Sequence, residues 1–212
     1  VYAAADRLSC YNCRFTGWQD TIFNGDPMTC NMKKLMLPDF FQASEVPIVH
    51  KFYRNYFKDC YVCGDVDYIF GPNTAFFDHC EIHSIARVSE EKAYITAAST
   101  PAGQEFGLIF SHCRITGEEP DSVYLGRPWR DCAKTAFICC ELGDHICPEG
   151  WQNWGKVRAE VLSDYIEYGN FGPGADCSGR SPLSRCLVNP EVETYFSKEN
   201  VLVGEDGWIP AE

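Results

Sequence analysis

Short runs of apolar and β-branched residues recur along the chain, each closed by Gly, Pro or Asp: CYNCRF from Cys10, FKDCYV from Phe57, AFFDHCEI from Ala75, LIFSHCRI from Leu108 and TAFICCEL from Thr135. Within them the alternation is that of strands, and a 3.6-residue period is scarce. Each run carries a cysteine followed two positions later by an apolar residue, at Cys13, Cys60, Cys80, Cys113 and Cys140. The intervals Cys60 to Cys80, Cys80 to Cys113 and Cys113 to Cys140 are 20, 33 and 27 residues. Strand-sized units repeating at such spacing predict an all-β solenoid, a parallel β-helix in which equivalent residues of successive coils lie about 4.8 Å apart. Only the interval of 47 from Cys13 to Cys60 breaks the series. Treating 24–50 as an inserted loop of 27 residues restores a coil of 20. Its Met32, Met36, Phe40 and Phe41 are expected to pack against the wall.

Composition narrows the picture without redirecting it. The 212 residues suit one domain, 1–212, and 45% apolar with 23% charged is ordinary for a globular chain. A net charge of −12 with scattered Lys and Arg argues against a nucleic-acid partner. No apolar run approaches the roughly 18 residues that span a bilayer, so no membrane segment is expected. The opening VYAAADRLSC lacks the regions of a signal peptide and runs at once into a strand, so the chain reads as a segment whose amino-terminal coils are missing. Thirteen cysteines are an odd count in a chain too long for a small disulfide scaffold. Cys10/Cys13 and Cys60/Cys63 have C-x2-C form, a weak zinc signal because the repeat already accounts for one cysteine of each pair. The five repeat cysteines are expected as small buried residues stacked coil upon coil. No metal and no cofactor are expected.

The candidate chemistry lies in a phrase written twice. GWQDTIF (Gly17 to Phe23) and GDVDYIF (Gly64 to Phe70) keep an aspartate at the same phase, so Asp20 and Asp67 come from neighbouring coils. Two close carboxyl groups cannot both ionise freely, and splitting their pKa values yields an acid beside a base or nucleophile. Stacked aspartates also occur as solvated turn ladders. What distinguishes these is their company: Gln19 offers an amide to an oxyanion, and Tyr124-Leu-Gly-Arg-Pro-Trp129 sets a bidentate cation beside an aromatic platform. Adjacent strand residues face opposite ways, so Gln19 and Asp20 can share a site only across a bend or bulge.

These residues resemble those of the pectin methylesterases. Gly17-Trp-Gln-Asp-Thr21 is similar to their G-Y-Q-D-T, Gly64-Asp-Val-Asp-Tyr-Ile-Phe-Gly71 to G-x-V-D-F-I-F-G, and Leu125-Gly-Arg-Pro-Trp129 to L-G-R-P-W. Ile95-Thr-Ala97, Pro148-Glu-Gly-Trp151, Gly172-Pro-Gly-Ala175 and Gly207-Trp-Ile-Pro210 also match, so the resemblance spans nearly all of the chain except the inserted loop. It implies a right-handed parallel β-helix with a C-terminal extension. By the same resemblance Asp67 is the nucleophile, Asp20 the general acid then base, Gln19 an oxyanion donor and Arg127 the partner that keeps Asp67 ionised. Trp129, Trp18 and Tyr68 are the substrate-binding aromatics, the last two standing where the family has Tyr and Phe. Asp65 is the rival nucleophile, being on the same strand face. A further glutamine of the family's oxyanion hole falls upstream of Val1. The implied reaction is hydrolysis of the C6 methyl ester of methylated homogalacturonan (pectin), releasing methanol, by a monomer outside the cell; a cytoplasmic enzyme of an anaerobe is the alternative placement. No G-x-S-x-G elbow supports a serine hydrolase. The remaining rivals are a β-helical pectate lyase or polygalacturonase and a non-catalytic carbohydrate-binding β-helix. His50, His79, His83, His112 and His145 have no place in this chemistry, and His79 and His112 are expected to be structural.

Overall fold

The computed structural model describes residues 1–25, 53–89 and 91–211. The proposed loop 24–50, with Met32, Met36, Phe40, Phe41 and His50, lies outside the described residues apart from Asn24 and Gly25.

Each coil contributes up to three strands. The first holds β1 (Leu8–Tyr11), β2 (Arg14–Thr16) and β3 (Ile22–Phe23). The second holds β4 (Arg54–Lys58), β5 (Tyr61–Gly64) and β6 (Val66–Gly71), and the third β7 (Thr74–Asp78), β8 (Glu81–Ser84) and β9 (Ala93–Ala98). β10 (Leu108–Ser111), β11 (Arg114–Gly117) and β12 (Val123–Gly126) form the fourth, and β13 (Lys134–Ile138) and β14 (Glu141–Leu142) the fifth. β15 (Asp164–Tyr168) and β16 (Ser184–Leu187) complete the series. Like strands stack into three parallel walls: β1-β4-β7-β10-β13-β15-β16, β2-β5-β8-β11-β14, and β3-β6-β9-β12. This is the parallel β-helix expected from the repeat spacing. Leu8 pairs with Asn55 and Ile22 with Ile69, so the 47-residue offset holds from one end of the first coil to the other.

The stacking follows from identity at each phase. Phe57, Phe77, Phe110 and Phe137 form a column of nearly parallel, stacked rings with centroids 4.6, 4.8 and 4.5 Å apart. Beside them Val62, Ile82, Ile115 and Leu142 fill the interior. The cysteines stack as expected: Cys60, Cys80, Cys113 and Cys140 are buried and unbridged, and Cys13 is half-buried. A thiol is small enough for the column and still a weak donor. Cys80, Cys113 and Cys140 point Sγ at the carbonyls of Phe57, Phe77 and Phe110 in the preceding coil, at 3.3, 3.3 and 3.4 Å.

Ahead of each stacked cysteine the chain turns a corner in the left-handed region: Asn12, Asp59, His79, His112 and Cys139 have φ between 51° and 53°, and Gly169, ahead of Asn170 at the next corner, has φ 63°. Asn, Asp, His and Gly are the residues that tolerate this conformation best, which accounts for the two histidines that the ester chemistry does not use.

Among the described residues one disulfide, Cys177–Cys186, lies in the C-terminal extension and has no counterpart in the cysteine repeat. The extension carries the short helices Glu191–Tyr195 and Lys198–Leu202, whose Val192, Val201 and Leu202 cover Tyr56, Phe76, Ile109 and Ile166. Those four face outward from the seven-stranded wall, so that wall is buried on both sides.

Candidate active site

The three-stranded coils bring the repeated phrases together at the entry to the β3-β6-β9-β12 wall. The Trp18 carbonyl accepts the Asp65 N–H at 3.2 Å and the Asp20 N–H donates to the Val66 carbonyl at 3.1 Å. With Ile22 opposite Ile69, Asp20 and Asp67 occupy the same phase of adjacent coils. Both sit in left-handed backbone, at φ 60° and 49°, and the register shifts between Val66 and Ile69. The shift is a bulge around Asp67 in the second coil, and the left-handed Asp20 makes the corresponding bend in the first, so simple alternation does not fix the faces of Gln19 and Asp20. Gly71, at φ +124°, closes the phrase where a Cβ would run into the Asn24 backbone.

Asp67 is buried, its side chain 7% exposed. Arg127 grips it with two parallel hydrogen bonds, Nε to Oδ1 at 2.9 Å and Nη2 to Oδ2 at 2.7 Å. The guanidinium is itself held face-on between Tyr94 and Trp154, its carbon 3.8 Å from each ring centroid. Stacking occupies both faces and leaves the N–H edge for the carboxylate. Lys156 reinforces the loop behind it, donating to the carbonyls of Pro128 and Trp129 at 2.6 and 3.0 Å.

The electrostatics depart from expectation in one respect. Burial raises the Asp67 carboxyl above its ordinary value, outweighing the downward pull of the Arg127 hydrogen bonds and charge and of Lys156 and Arg87. Arg127 thus limits a rise and does not produce a net depression. Asp20 is pushed up to about 6, first by desolvation and then by the Asp67 charge, with Arg127 opposing.

Gln19, Arg87, Lys92, Tyr94, Tyr124, Arg127 and Gln152 line an open cleft of about 650 Å³. Asp65 spends one oxygen on the Val66 N–H at 2.8 Å and places the other 3.9 Å from Arg87. Trp129 is half-buried, with its ring centroid 5.7 Å from Phe70 and 6.3 Å from Phe23, on an aromatic patch that also holds Trp154. Trp18 is 65% exposed. Tyr68 corrects the assignment to substrate: it is fully buried, its hydroxyl 2.9 Å from Ser84 Oγ, because the residue after the bulge turns into the core. His79, His83, His112 and His145 are absent from the residues lining this cleft.

Sequence reading passed over Tyr94, Trp154 and Lys156. Tyr94 immediately precedes the matched Ile95-Thr-Ala97 and Trp154 follows the matched Pro148-Glu-Gly-Trp151 by three residues, so motif adjacency was the available signal.

Comparison with known proteins places this geometry. The Pectinesterase family model matches residues 42–205, a range that includes Asp67 and Arg127 and begins after Gln19 and Asp20. Pectinesterase 31 of Arabidopsis thaliana is 36% identical over 193 residues, covering 90% of this chain and 51% of that protein. Among solved structures, the pectin methylesterase from carrot aligns with a TM-score of 0.74 at 26% identity, over 95% of this chain and 58% of its own. A pectin methylesterase in complex with a hexasaccharide aligns with a TM-score of 0.72 at 26% identity, over 100% and 60%. The chain thus spans about half the length of the curated relatives it matches.

Proposed function

The chain belongs to the pectinesterase family, and from that premise we propose that the protein containing it hydrolyses the C6 methyl ester of methylated homogalacturonan, with Asp67 as nucleophile and Asp20 as general acid and base. The observation that carries the reading is the contrast between the two carboxyl groups. Asp67 is buried and gripped at two points by a cation, while Asp20 is exposed and pushed up to about 6. Opposed environments of this kind divide a carboxyl pair into a base and an acid.

In the first half-reaction an Asp67 oxygen attacks the ester carbonyl carbon, and the Gln19 amide donates to the resulting oxyanion. Asp20 gives its proton to the methoxy oxygen as the C–O bond breaks, methanol leaves, and the uronate acyl group remains on Asp67 as an anhydride. In the second, the Asp20 carboxylate takes a proton from water while that water adds to the acyl carbon. Collapse expels Asp67 as carboxylate, freeing the galacturonic acid. Arg127 keeps the Asp67 oxygens oriented throughout, because its guanidinium cannot tilt between the Tyr94 and Trp154 rings. Trp129 and the exposed Trp18 are the sugar-facing aromatics. We place the enzyme outside the cell, acting as a monomer on pectin; no helix among the described residues is long and apolar enough to cross a membrane.

The test is methanol release from methylated homogalacturonan by the full-length protein. Asp67→Asn should abolish turnover while leaving polymer binding intact, and Asp20→Asn should slow it by about 10²–10⁴-fold. Full activity in Asp67→Asn with loss in Asp65→Asn would overturn the assignment. Unsaturated products in place of methanol would indicate a lyase, and binding with no products a carbohydrate-binding wall.

A further inference from the structure

Away from the carboxylate cleft, at the corner between the β10 and β11 walls, three side chains from separate segments converge. His112 comes from the β10–β11 corner, Cys139 from the equivalent corner one coil later, and Glu193 from the helix Glu191–Tyr195 of the extension. Their ligand atoms, one imidazole nitrogen, Sγ and one carboxylate oxygen, all lie within 4.8 Å of one another. We propose that His112, Cys139 and Glu193 form a binding site for Zn²⁺ or a similar borderline-soft divalent cation that fastens the C-terminal extension to the solenoid wall.

Donor chemistry is the first support, because nitrogen, thiolate sulfur and carboxylate oxygen together are the ligand set of zinc and unlike the all-oxygen sets of calcium and magnesium. Three protein ligands leave one position of a tetrahedron for water. Spacing is the second. His112 Nε2 stands 3.7 Å from Glu193 Oε1, close to the separation of roughly 3.4 Å between ligand atoms in a tetrahedron with bonds of about 2.0–2.3 Å.

Orientation is the third support. Ser111 Oγ lies 3.0 Å from His112 Nδ1, so the far ring nitrogen is engaged and Nε2 is the one presented to Glu193. The His79 ring stacks on His112 with centroids 5.2 Å apart and planes 7° from parallel, and His79 Nδ1 is in turn 2.6 Å from Asp78 Oδ1. A ligand imidazole fixed through its other nitrogen is the usual outer arrangement of a zinc site. The corner backbone contributes too: His112 and Cys139 share the left-handed turn, at φ 53° each, so both side chains leave the wall at equivalent points one coil apart. Gly169, the next corner residue, has no side chain where its Cβ would stand 3.0 Å from Cys139 Sγ. His112 and Glu193 are exposed and Cys139 half-buried, so a cation can reach the site in the folded protein.

The cation would join the corner to a helix whose other anchors are Val192, buried on the outer face of the seven-stranded wall, and the Tyr195 hydroxyl, 3.1 Å from Glu105 Oε1. The site does not depend on the esterase reading, since none of its residues lies in the cleft.

The experiment is titration of the metal-free full-length protein, with the Cys177–Cys186 disulfide intact and Cys139 a free thiol, with Co²⁺ as spectroscopic probe, followed by displacement with Zn²⁺. The expected result is one tight equivalent giving tetrahedral d–d bands with a thiolate-to-cobalt charge-transfer band, all abolished by Zn²⁺. Cys139→Ser should remove the charge-transfer band. His112→Ala and Glu193→Gln should weaken binding more than Ser111→Ala, for which about 10-fold is expected as the loss of an outer-shell partner. Zn²⁺ should also raise the unfolding temperature of the wild type and leave that of Glu193→Gln unmoved. Esterase activity measured beside these should be the same in Glu193→Gln as in the wild type. Cobalt binding that lacks the thiolate band, or that persists unchanged in both Cys139→Ser and Glu193→Gln, would overturn the proposal and assign the metal to other cysteines.

Discussion

Asp20 works against the stability of the fold that holds it. Its folded-state value of about 6 lies above that of an ordinary exposed carboxyl, so its contribution to stability is fully present below about pH 4 and is lost as pH rises through 6. Asp20→Asn should therefore unfold at a higher temperature than wild type at pH 7, and the difference should vanish near pH 4 in paired thermal melts. Arg127 acts with the opposite sign on Asp67. Removing it deletes a downward influence on a carboxyl already raised by burial, so Arg127→Ala should move the acidic limb of kcat/KM for methanol release to higher pH as well as lowering the rate. Arg127→Lys keeps charge without the planar grip and should give an intermediate shift. An unmoved limb in Arg127→Ala would transfer the role to Arg87, which lies in the same cleft and bears on Asp67 more weakly. The carboxyl pair and Arg127 were legible in the sequence because a repeated phrase and a tight motif carry them. Tyr94 and Trp154 were not, since 60 residues separate them and only the solenoid brings their ring faces to one guanidinium. Tyr68 misled because its neighbour Asp67 bulges, which reverses the face that simple alternation assigns.

The spacings of the cysteine repeat reappear as strand register: Tyr61 pairs with Glu81, Glu81 with Arg114 and Arg114 with Glu141, offsets of 20, 33 and 27. Stacking of like on like makes this part of the fold readable, for each coil repeats the same choices at the same phase. The short helices of the extension escaped because elements of five residues carry no usable period. The Phe column predicts its own sensitivity. Phe110 packs between Phe77 and Phe137, so Phe110→Ala should destabilise by about 3–5 kcal/mol in denaturant melts, whereas Phe110→Leu should lose far less. At Gly71 both the positive φ and the Asn24 backbone exclude a side chain. Gly71→Ala should thus be destabilised by at least about 1–3 kcal/mol, from backbone strain alone. It should also lower esterase activity, because the shift would pass along β6 to Asp67.

Across the molecule, the extension closes the far end of the solenoid and then returns along its side. Glu167 occupies the next position of the Phe column, opposite Phe137, where it is buried and held by Arg180 through two hydrogen bonds of 2.9 and 3.0 Å and by Trp151 Nε1 at 2.9 Å. Arg180→Ala would leave that carboxylate buried without its cation and should cost about 3–5 kcal/mol in stability, while Glu167→Met combined with Arg180→Met should recover most of the loss. Further on, Arg54 of the second coil is clasped by Asp6 at 2.8 Å and Asp206 at 2.7 Å and donates to the Leu202 carbonyl, and Tyr11 donates to Ala211. None of these long-range partners was legible, because no local pattern announces a contact across 152 residues. That separation also sets a clock. At roughly 5–20 residues per second, the ribosome delivers Asp206 about 8–30 seconds after Arg54, and through that interval the outward Tyr56 and Phe76 await their cover. The growing chain therefore carries an uncovered apolar flank through that interval, a window in which a chaperone or a neighbouring nascent copy can reach a surface that the folded protein conceals.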